Sequence, residues 1–245
     1  MRILTTCSAV KSVEPLPDLL ARTLDRAPLT DVSGRWNERL HAAPPACCAA
    51  ALYAGRGFGH ALAAADGYPW VASAGLGLLS PETQVPSYGA TVAAGPEDDV
   101  FRRVDGPRDS AGWWRGLRGS PYASTVGDLF DGTGPVLAAL SAPYLAMLAD
   151  DLAGLPPTDL GRLRIFTATA VAAVDPRLQA FVMPCDRARQ EDVGGYRGVV
   201  ADYAQRALRH FAETVLPHAP DADADEHAEL MTGLRPVAAA GPAPR

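Results

Sequence analysis

Lys11 is the first residue whose type suggests chemistry. The chain of 245 residues contains one lysine and 21 arginines. The high content of Ala, Gly, Pro and Arg is typical of a GC-rich genome, which exchanges Lys for Arg wherever a positive charge suffices. Arg cannot replace an amine that must lose its proton to act as a nucleophile or base. We therefore expect Lys11 to be catalytic, and the alternative is a surface residue with no role.

Small, hydroxylated and glycine residues follow three apolar segments of strand length. They are Cys7, Ser8 and Lys11 after the first segment, Ser73, Gly75 and Gly77 after the second, and Ser141 and Tyr144 after the third. Ligands of open α/β sheets bind at the carboxyl ends of strands. We expect these loops to converge on a site for a polar planar or phosphorylated ligand, with Glu82 and Tyr88 orienting it. The alternatives are that Gly75 and Gly77 only form a turn, and that Cys7 is only a small buried residue.

Several common kinds of site are not indicated by the motifs. Gly-Leu-Gly at 75–77 lacks the third spaced glycine of a dinucleotide fingerprint, and G-x4-G-K-[ST] is absent, so neither NAD nor ATP is predicted. No G-x-S-x-G elbow of a serine hydrolase occurs. Four irregularly spaced cysteines indicate neither a disulfide framework nor a zinc site. We expect no cofactor and no metal.

The elements that position these residues alternate between strands and helices. Strands are predicted at 2–7, 68–73, 136–141, 163–170 and 178–183, and helices at 19–26, 46–65, 143–155 and 194–216. We interpret 78–92 as a structured loop and 95–120 as a charged surface stretch whose Trp113 and Trp114 close a core edge. This order predicts an α/β fold with a mixed, mostly parallel sheet and helices on both faces. One domain over 1–235 and a disordered tail over 236–245 are expected.

Composition limits the partners. With 48% hydrophobic and 20% charged residues, the chain is typical of a folded globular protein. It has no apolar run of 18 residues and no signal-peptide pattern, so we expect a cytoplasmic protein without a membrane partner. A net charge of −6 disfavours coating nucleic acid by bulk electrostatics. The acidic excess lies in 121–245, so a local basic cleft would belong to the first half.

Two segments together resemble a known family. CSAVK at 7–11 and SAGLGLLSPETQVPSY at 73–88 resemble a bacterial domain of unknown function that is similar to the YaaA-type peroxide-stress proteins and to the lysine-bearing domain of archaeosine synthase. ALYAG at 51–55 also resembles the start of a helix in that bacterial domain. LSAPYLAML at 140–148 and VADYAQRALRHFAE at 200–213 are similar to later parts of the YaaA pattern.

The resemblance implies a nucleic-acid or nucleobase partner. Archaeosine synthase uses the lysine of its C-S-x-x-K segment as a nucleophile toward a nitrile-bearing deazaguanine in transfer RNA, and YaaA-type proteins resemble DNA-binding, glycosylase-like folds. Lys11, with Cys7 and Ser8 beside it, matches that segment. Ser12 and Val13 stand where archaeosine synthase has proline and tyrosine. The particular amidine-forming reaction is therefore not implied.

These observations predict an enzyme that acts on a modified or damaged nucleobase, nucleoside or nucleic acid, with Lys11 as nucleophile or Schiff-base amine. The first alternative is a non-catalytic DNA-binding stress-response or defence protein. In that case Lys11 and arginines such as Arg102, Arg103, Arg115 and Arg118 contact phosphates. The second alternative is hydrolysis of a free nucleotide or nucleoside.

Overall fold

The computed structural model describes residues 1–185, 192–193 and 196–233. Its strands are β1 (Arg2–Thr6), β2 (Cys47–Cys48), β3 (Trp70–Ser73), β4 (Gly77–Leu79), β5 (Gln84–Val85), β6 (Val136–Ala139), β7 (Leu163–Phe166), β8 (Asp192–Val193) and β9 (Tyr196–Arg197). Its α-helices are α1 (Leu29–Ala42), α2 (Ala49–Leu52), α3 (Arg56–Ala64), α4 (Ser110–Leu117), α5 (Val126–Leu129), α6 (Ala142–Ala153), α7 (Pro157–Leu160), α8 (Tyr203–Thr214) and α9 (Ala224–Gly233). Short 3-10 turns join several of these elements.

A five-stranded sheet in the order β4-β3-β1-β6-β7 forms the centre of the fold. β3, β1, β6 and β7 are parallel, and β4 runs antiparallel to β3. Strands covered on both faces are apolar along their whole length, and β6 and β7 are buried at every residue. The predicted mixed, mostly parallel α/β fold is therefore confirmed.

Helices cover both faces of this sheet, because alternate residues of each strand point to opposite faces. Leu4 of β1 belongs to the hydrophobic cluster that contains Trp36 of α1 and Trp113 of α4. Ile3, the preceding residue, belongs to the cluster that contains Phe211 of α8. Trp113 and Trp114 are both buried, as predicted. Among the described residues, no helix combines the length and the apolar character needed to cross a bilayer.

The strand register determines which loops meet. Thr6 of β1 pairs with Ala72 of β3, and Thr5 pairs with Ala139 of β6. The carboxyl ends of these parallel strands therefore lie side by side at one edge of the sheet. The loops that begin after Thr6, Ser73 and Ala139 leave from this edge, as the sequence predicts.

The predicted helix over 46–65 is wrong, because β2, α2 and α3 occupy this segment instead. The break between the helices falls at Tyr53–Gly55, where Gly55 has a φ of 100°, a backbone conformation that few residues other than glycine adopt. Tyr53 also forms an antiparallel bridge with Lys11. The pairing with the loop after β1 thus replaces helical hydrogen bonds at this point.

Other predicted boundaries also differ from the structure. The predicted helix over 19–26 is wrong: 3-10 turns span Pro17–Leu19 and Ala21–Thr23, because the backbone of Leu19 and Ala21 bonds to Gly89 instead. The predicted loop over 78–92 includes parts of β4 and β5, and 178–183 is mainly a 3-10 turn with a single bridge from Val182 to Ile165. Helix α8 begins at Tyr203, nine residues after the predicted start at 194. Residues 194–195 and the predicted tail over 236–245 lie outside the described residues.

Candidate active site

Lys11 is held beside the end of β1 by backbone pairing with the segment after α2. Ser12 N–H donates to Leu52 O at 2.9 Å, and Ala54 N–H donates to Val10 O at 3.0 Å. The Lys11 side chain is partly buried, and its Nζ donates to Ser8 O at 3.2 Å. The same Nζ lies 4.5 Å from the centroid of the Tyr88 ring and 5.9 Å from that of Tyr53. The amine is therefore fixed between its own loop and two aromatic rings.

Burial changes the ionisation of this amine. Removal from water lowers the pKa of Lys11 below its ordinary value, and negative charge on Cys7 or Asp98 opposes this shift only in part. A lowered pKa increases the fraction of neutral amine at a given pH, and only the neutral amine has the lone pair of a nucleophile. The site thus favours the reactive form of its one lysine.

A chain of three hydroxyl groups lies next to the amine. Ser73 Oγ and Tyr88 Oη are 2.7 Å apart, and Tyr88 Oη and Tyr53 Oη are 3.2 Å apart. Both tyrosines are buried. Burial raises the pKa of Tyr53 and of Tyr88 well above the ordinary value, because the phenolate loses its hydration. The phenols therefore stay protonated and can donate hydrogen bonds.

Cys7 joins the loops after β1, β3 and β6. Its Sγ lies 2.9 Å from Tyr144 Oη and accepts a hydrogen bond from Ala74 N–H at 3.4 Å. Tyr144 is buried in the first turn of α6, and burial raises its pKa as well. The structure thus brings Cys7, Ser8, Lys11, Ser73, Tyr88 and Tyr144 to one edge of the sheet.

The two predicted glycines shape this edge by close packing. A Cβ atom on Gly75 would lie 2.5 Å from the Tyr88 ring, so only glycine lets the ring approach this backbone. Gly77 has a φ of 88° at the turn into β4, where a Cβ would lie 2.7 Å from Ala123 Cβ. Both glycines therefore allow close packing on neighbouring residues of the protein. The contact at Gly75 sets the position of the Tyr88 ring beside Lys11.

Two other predicted residues lie apart from the amine. Glu82 is exposed and accepts a hydrogen bond from Ser80 Oγ. It follows β4, which runs antiparallel to β3 and ends beside the opposite end of that strand, so the structure does not bring Glu82 to this edge. Ser141 is exposed before α6 and lines a cavity of about 450 Å³ that also contains Thr6 and Gln205.

Tyr53 is the site residue that the sequence did not single out. It lies within ALYAG, in the segment predicted to be helical, and a helix would not pair its backbone with Lys11 as the structure does. Its ring packs on Phe58 at a centroid distance of 5.9 Å. No signal in the sequence alone indicates that its hydroxyl bonds to Tyr88, since the two residues lie 35 positions apart.

Neither a metal nor a relative identifies the chemistry. Within the described ranges, no three His, Cys, Asp or Glu side chains are grouped so that they could hold a metal ion. Comparison with protein-family models, with curated proteins and with solved structures finds no match for the chain.

Proposed function

We propose that this protein is an enzyme that acts on a modified or damaged nucleobase, nucleoside or nucleic acid, with Lys11 as its nucleophile. The observation that supports it is the position of the Lys11 amine over the Tyr88 ring, in surroundings that lower the lysine pKa. The nucleobase class of substrate comes from the resemblance of 7–11 and 73–88 to the C-S-x-x-K domains.

The chemistry available to this arrangement is addition of the amine to an electrophilic carbon. For an aldehyde such as that of an abasic sugar, the nitrogen lone pair forms a bond to carbon while the carbonyl π electrons move to oxygen. That oxygen takes a proton while the added nitrogen gives one up, and the neutral Tyr53 and Tyr88 phenols, whose rings lie beside the amine, are available as hydrogen-bond donors to it. Loss of water from the carbinolamine then gives an imine. A nitrile carbon accepts the same lone pair without loss of water.

The non-catalytic DNA-binding alternative depends on arginines that are free to contact phosphate. Arg115 lies 3.5 Å from Asp150 and 3.7 Å from Asp109, and Arg118 pairs with Asp151. These acidic partners offset the positive charge that phosphate contacts would need. The pairing argues against phosphate contacts by Arg115 and Arg118, whereas Arg102 and Arg103 have no carboxylate partner among the described residues.

Two candidate electrophiles test the proposal: an oligonucleotide with an abasic site, and a nitrile-bearing deazaguanine nucleoside. Turnover of either by the wild-type chain and loss of turnover in Lys11→Arg, with the thermal midpoint nearly unchanged, would support it. Arg keeps the positive charge but has no nucleophilic lone pair at physiological pH. Turnover retained by Lys11→Arg would refute it.

A further inference from the structure

A second cavity, of about 370 Å³, is lined by the Cys7–Val10 segment, and Lys11, Tyr53 and Tyr88 are not among its lining residues. It is lined by the end of β1, by the first residues of α3 and by the segment that enters α8. Thr6 and Gln205 also line the neighbouring cavity of about 450 Å³ beside Ser141. The two cavities therefore share part of their lining at the carboxyl edge of the sheet.

Gln205 has an unused hydrogen-bond acceptor in the wall of this cavity, next to the first turn of α3. Its side chain is buried, with 5% exposure, and its Nε2 donates to Thr5 Oγ1 and Thr6 Oγ1, both at 3.3 Å. Its Oε1 has no hydrogen-bond partner among the residues that the structure describes. An unpaired buried carbonyl oxygen destabilises the folded chain, because it has lost its hydration without gaining a hydrogen bond. A ligand that donates an N–H or O–H at this point would remove that destabilisation.

Helix α3 offers unpaired donors at the same cavity. It begins after Gly55, which provides no side-chain cap, and within the described part of the chain the N–H groups of Arg56, Gly57 and Phe58 make no hydrogen bond. The first N–H groups of a helix and its dipole favour an anion. Ser8 Oγ accepts from Val10 N–H at 3.1 Å, and its own O–H can donate into the cavity.

The charge at this place is also suitable for an anion. The Arg56 guanidinium pairs through Nε with Asp202, and its terminal amino groups have no partner in the ranges that the structure describes. The Asp202 carboxylate also accepts from Arg206 Nε at 2.8 Å and from Val199 N–H at 2.9 Å. Two guanidinium groups against one carboxylate leave a net positive charge. Guanidinium groups bind phosphate oxygens strongly.

We infer that this cavity binds the phosphate of a nucleotide. The phosphate is held by the first N–H groups of α3, the Arg56 guanidinium and the Ser8 hydroxyl, and a sugar hydroxyl or base N–H donates to Gln205 Oε1. The anion site follows from these contacts alone, whereas the choice of a nucleotide as the molecule that carries the phosphate rests on the proposed function. The proposed substrates, which include free bases and nucleosides, are thereby narrowed to those that carry a phosphate: a free nucleotide or a nucleotide unit of a strand.

Titration calorimetry of the full chain with GMP, guanosine and inorganic phosphate tests the anion site. GMP should bind about tenfold more tightly than guanosine, because charge-assisted hydrogen bonds to phosphate are lost in the nucleoside. Arg56→Gln should lower the affinity for GMP and leave the affinity for guanosine nearly unchanged. Equal affinity for GMP and guanosine would overturn the inference.

A pair of alanine variants in α3 tests the role of Gln205. A Cβ on Gly57 would lie 3.6 Å from Gln205 Oε1, at ordinary contact distance, so Gly57→Ala covers the oxygen without a clash. Gly59→Ala is the matched control, because its Cβ would meet nothing within 4 Å. Alanine is the better helix former, so neither variant should lower the thermal midpoint. Gly57→Ala should lower the affinity for GMP about tenfold, and Gly59→Ala should leave it unchanged. Equal GMP affinities for the two variants would contradict this role of Gln205.

Lys11→Arg separates this inference from the proposed function. We expect this variant to bind GMP as tightly as the wild type and to lose turnover. If it bound GMP but also kept turnover, the result would count against the proposed function and not against the phosphate site. Absence of GMP binding in a chain that still forms a covalent adduct at Lys11 would overturn the phosphate site alone. A short single-stranded oligonucleotide added to the GMP complex identifies the source of the phosphate. Displacement of GMP supports a strand, retention of GMP supports a free nucleotide, and both are consistent with the anion site.

Discussion

The Nζ atom of Lys11 lies 4.5 Å from the centroid of the buried Tyr88 ring. The ring attracts the ammonium form, whereas burial disfavours it, and the net result is a lowered pKa for Lys11. The backbone of Gly75 lies against the same ring. The position of the amine therefore depends on a residue 64 positions away in the sequence.

The lowered pKa of Lys11 should appear as a pH dependence of stability. The unfolded chain binds more protons than the folded chain between the folded and unfolded pKa values of Lys11. The contribution of Lys11 to stability is therefore least favourable below its folded pKa and improves as the pH rises toward its unfolded pKa of about 10.4. Urea unfolding of wild type and Lys11→Met should show the wild type gaining relative stability with rising pH. A difference in unfolding free energy that stays constant with pH would contradict the lowered pKa.

Gly75→Ala should disturb the ring beneath the amine. The added methyl would lie 2.5 Å from Tyr88 ring atoms, so the ring must move, at a cost of about 1–3 kcal/mol in unfolding free energy. Gly34→Ala in α1 is the control, because its methyl would meet nothing within 4 Å. Urea unfolding should show a loss only for Gly75→Ala. Equal stability of both variants would show that the packing at Gly75 is not tight.

Tyr88→Phe should separate the ring from its hydroxyl. The variant keeps the aromatic face under Lys11 but leaves Ser73 Oγ and Tyr53 Oη without their shared partner. We expect unfolding free energy to fall by about 1–3 kcal/mol, because buried polar groups lose a hydrogen bond. Tyr68→Phe, at an exposed tyrosine, should have almost no effect. If Tyr88→Phe were as stable as Tyr68→Phe, the hydroxyl chain would not be a stabilising feature.

Duplex DNA binding at two salt concentrations tests the non-catalytic alternative. Because Arg115 and Arg118 pair with Asp150 and Asp151, we expect Arg115→Gln and Arg118→Gln to leave duplex affinity and its salt dependence unchanged. An arginine that contacts phosphate would instead reduce the slope of log affinity against log salt by about one when replaced. Such a reduction in both variants would favour the DNA-binding alternative.

The sheet and its convergent loops were predictable because the buried parallel strands are rich in apolar residues and β1, β3 and β6 lead into small residues. Helix α1 was missed, although Val32, Trp36 and Leu40 recur every four residues and are all buried, a spacing that is typical of an amphipathic helix. Tyr53 and Gln205 were missed for another reason. Their roles depend on contacts with Lys11, Tyr88 and Thr6 that only the tertiary fold creates.

Borohydride trapping tests the central claim most directly. The wild-type chain is incubated with an abasic-site oligonucleotide, the mixture is reduced, and the adduct is mapped by mass spectrometry of proteolytic peptides. Since the chain has one lysine, the only other amine is that of Met1, which serves as the internal control. We predict a stable adduct on the peptide that contains Lys11 and none in Lys11→Arg. An adduct confined to Met1, or one that forms equally in Lys11→Arg, would contradict the assignment of Lys11 as the nucleophile.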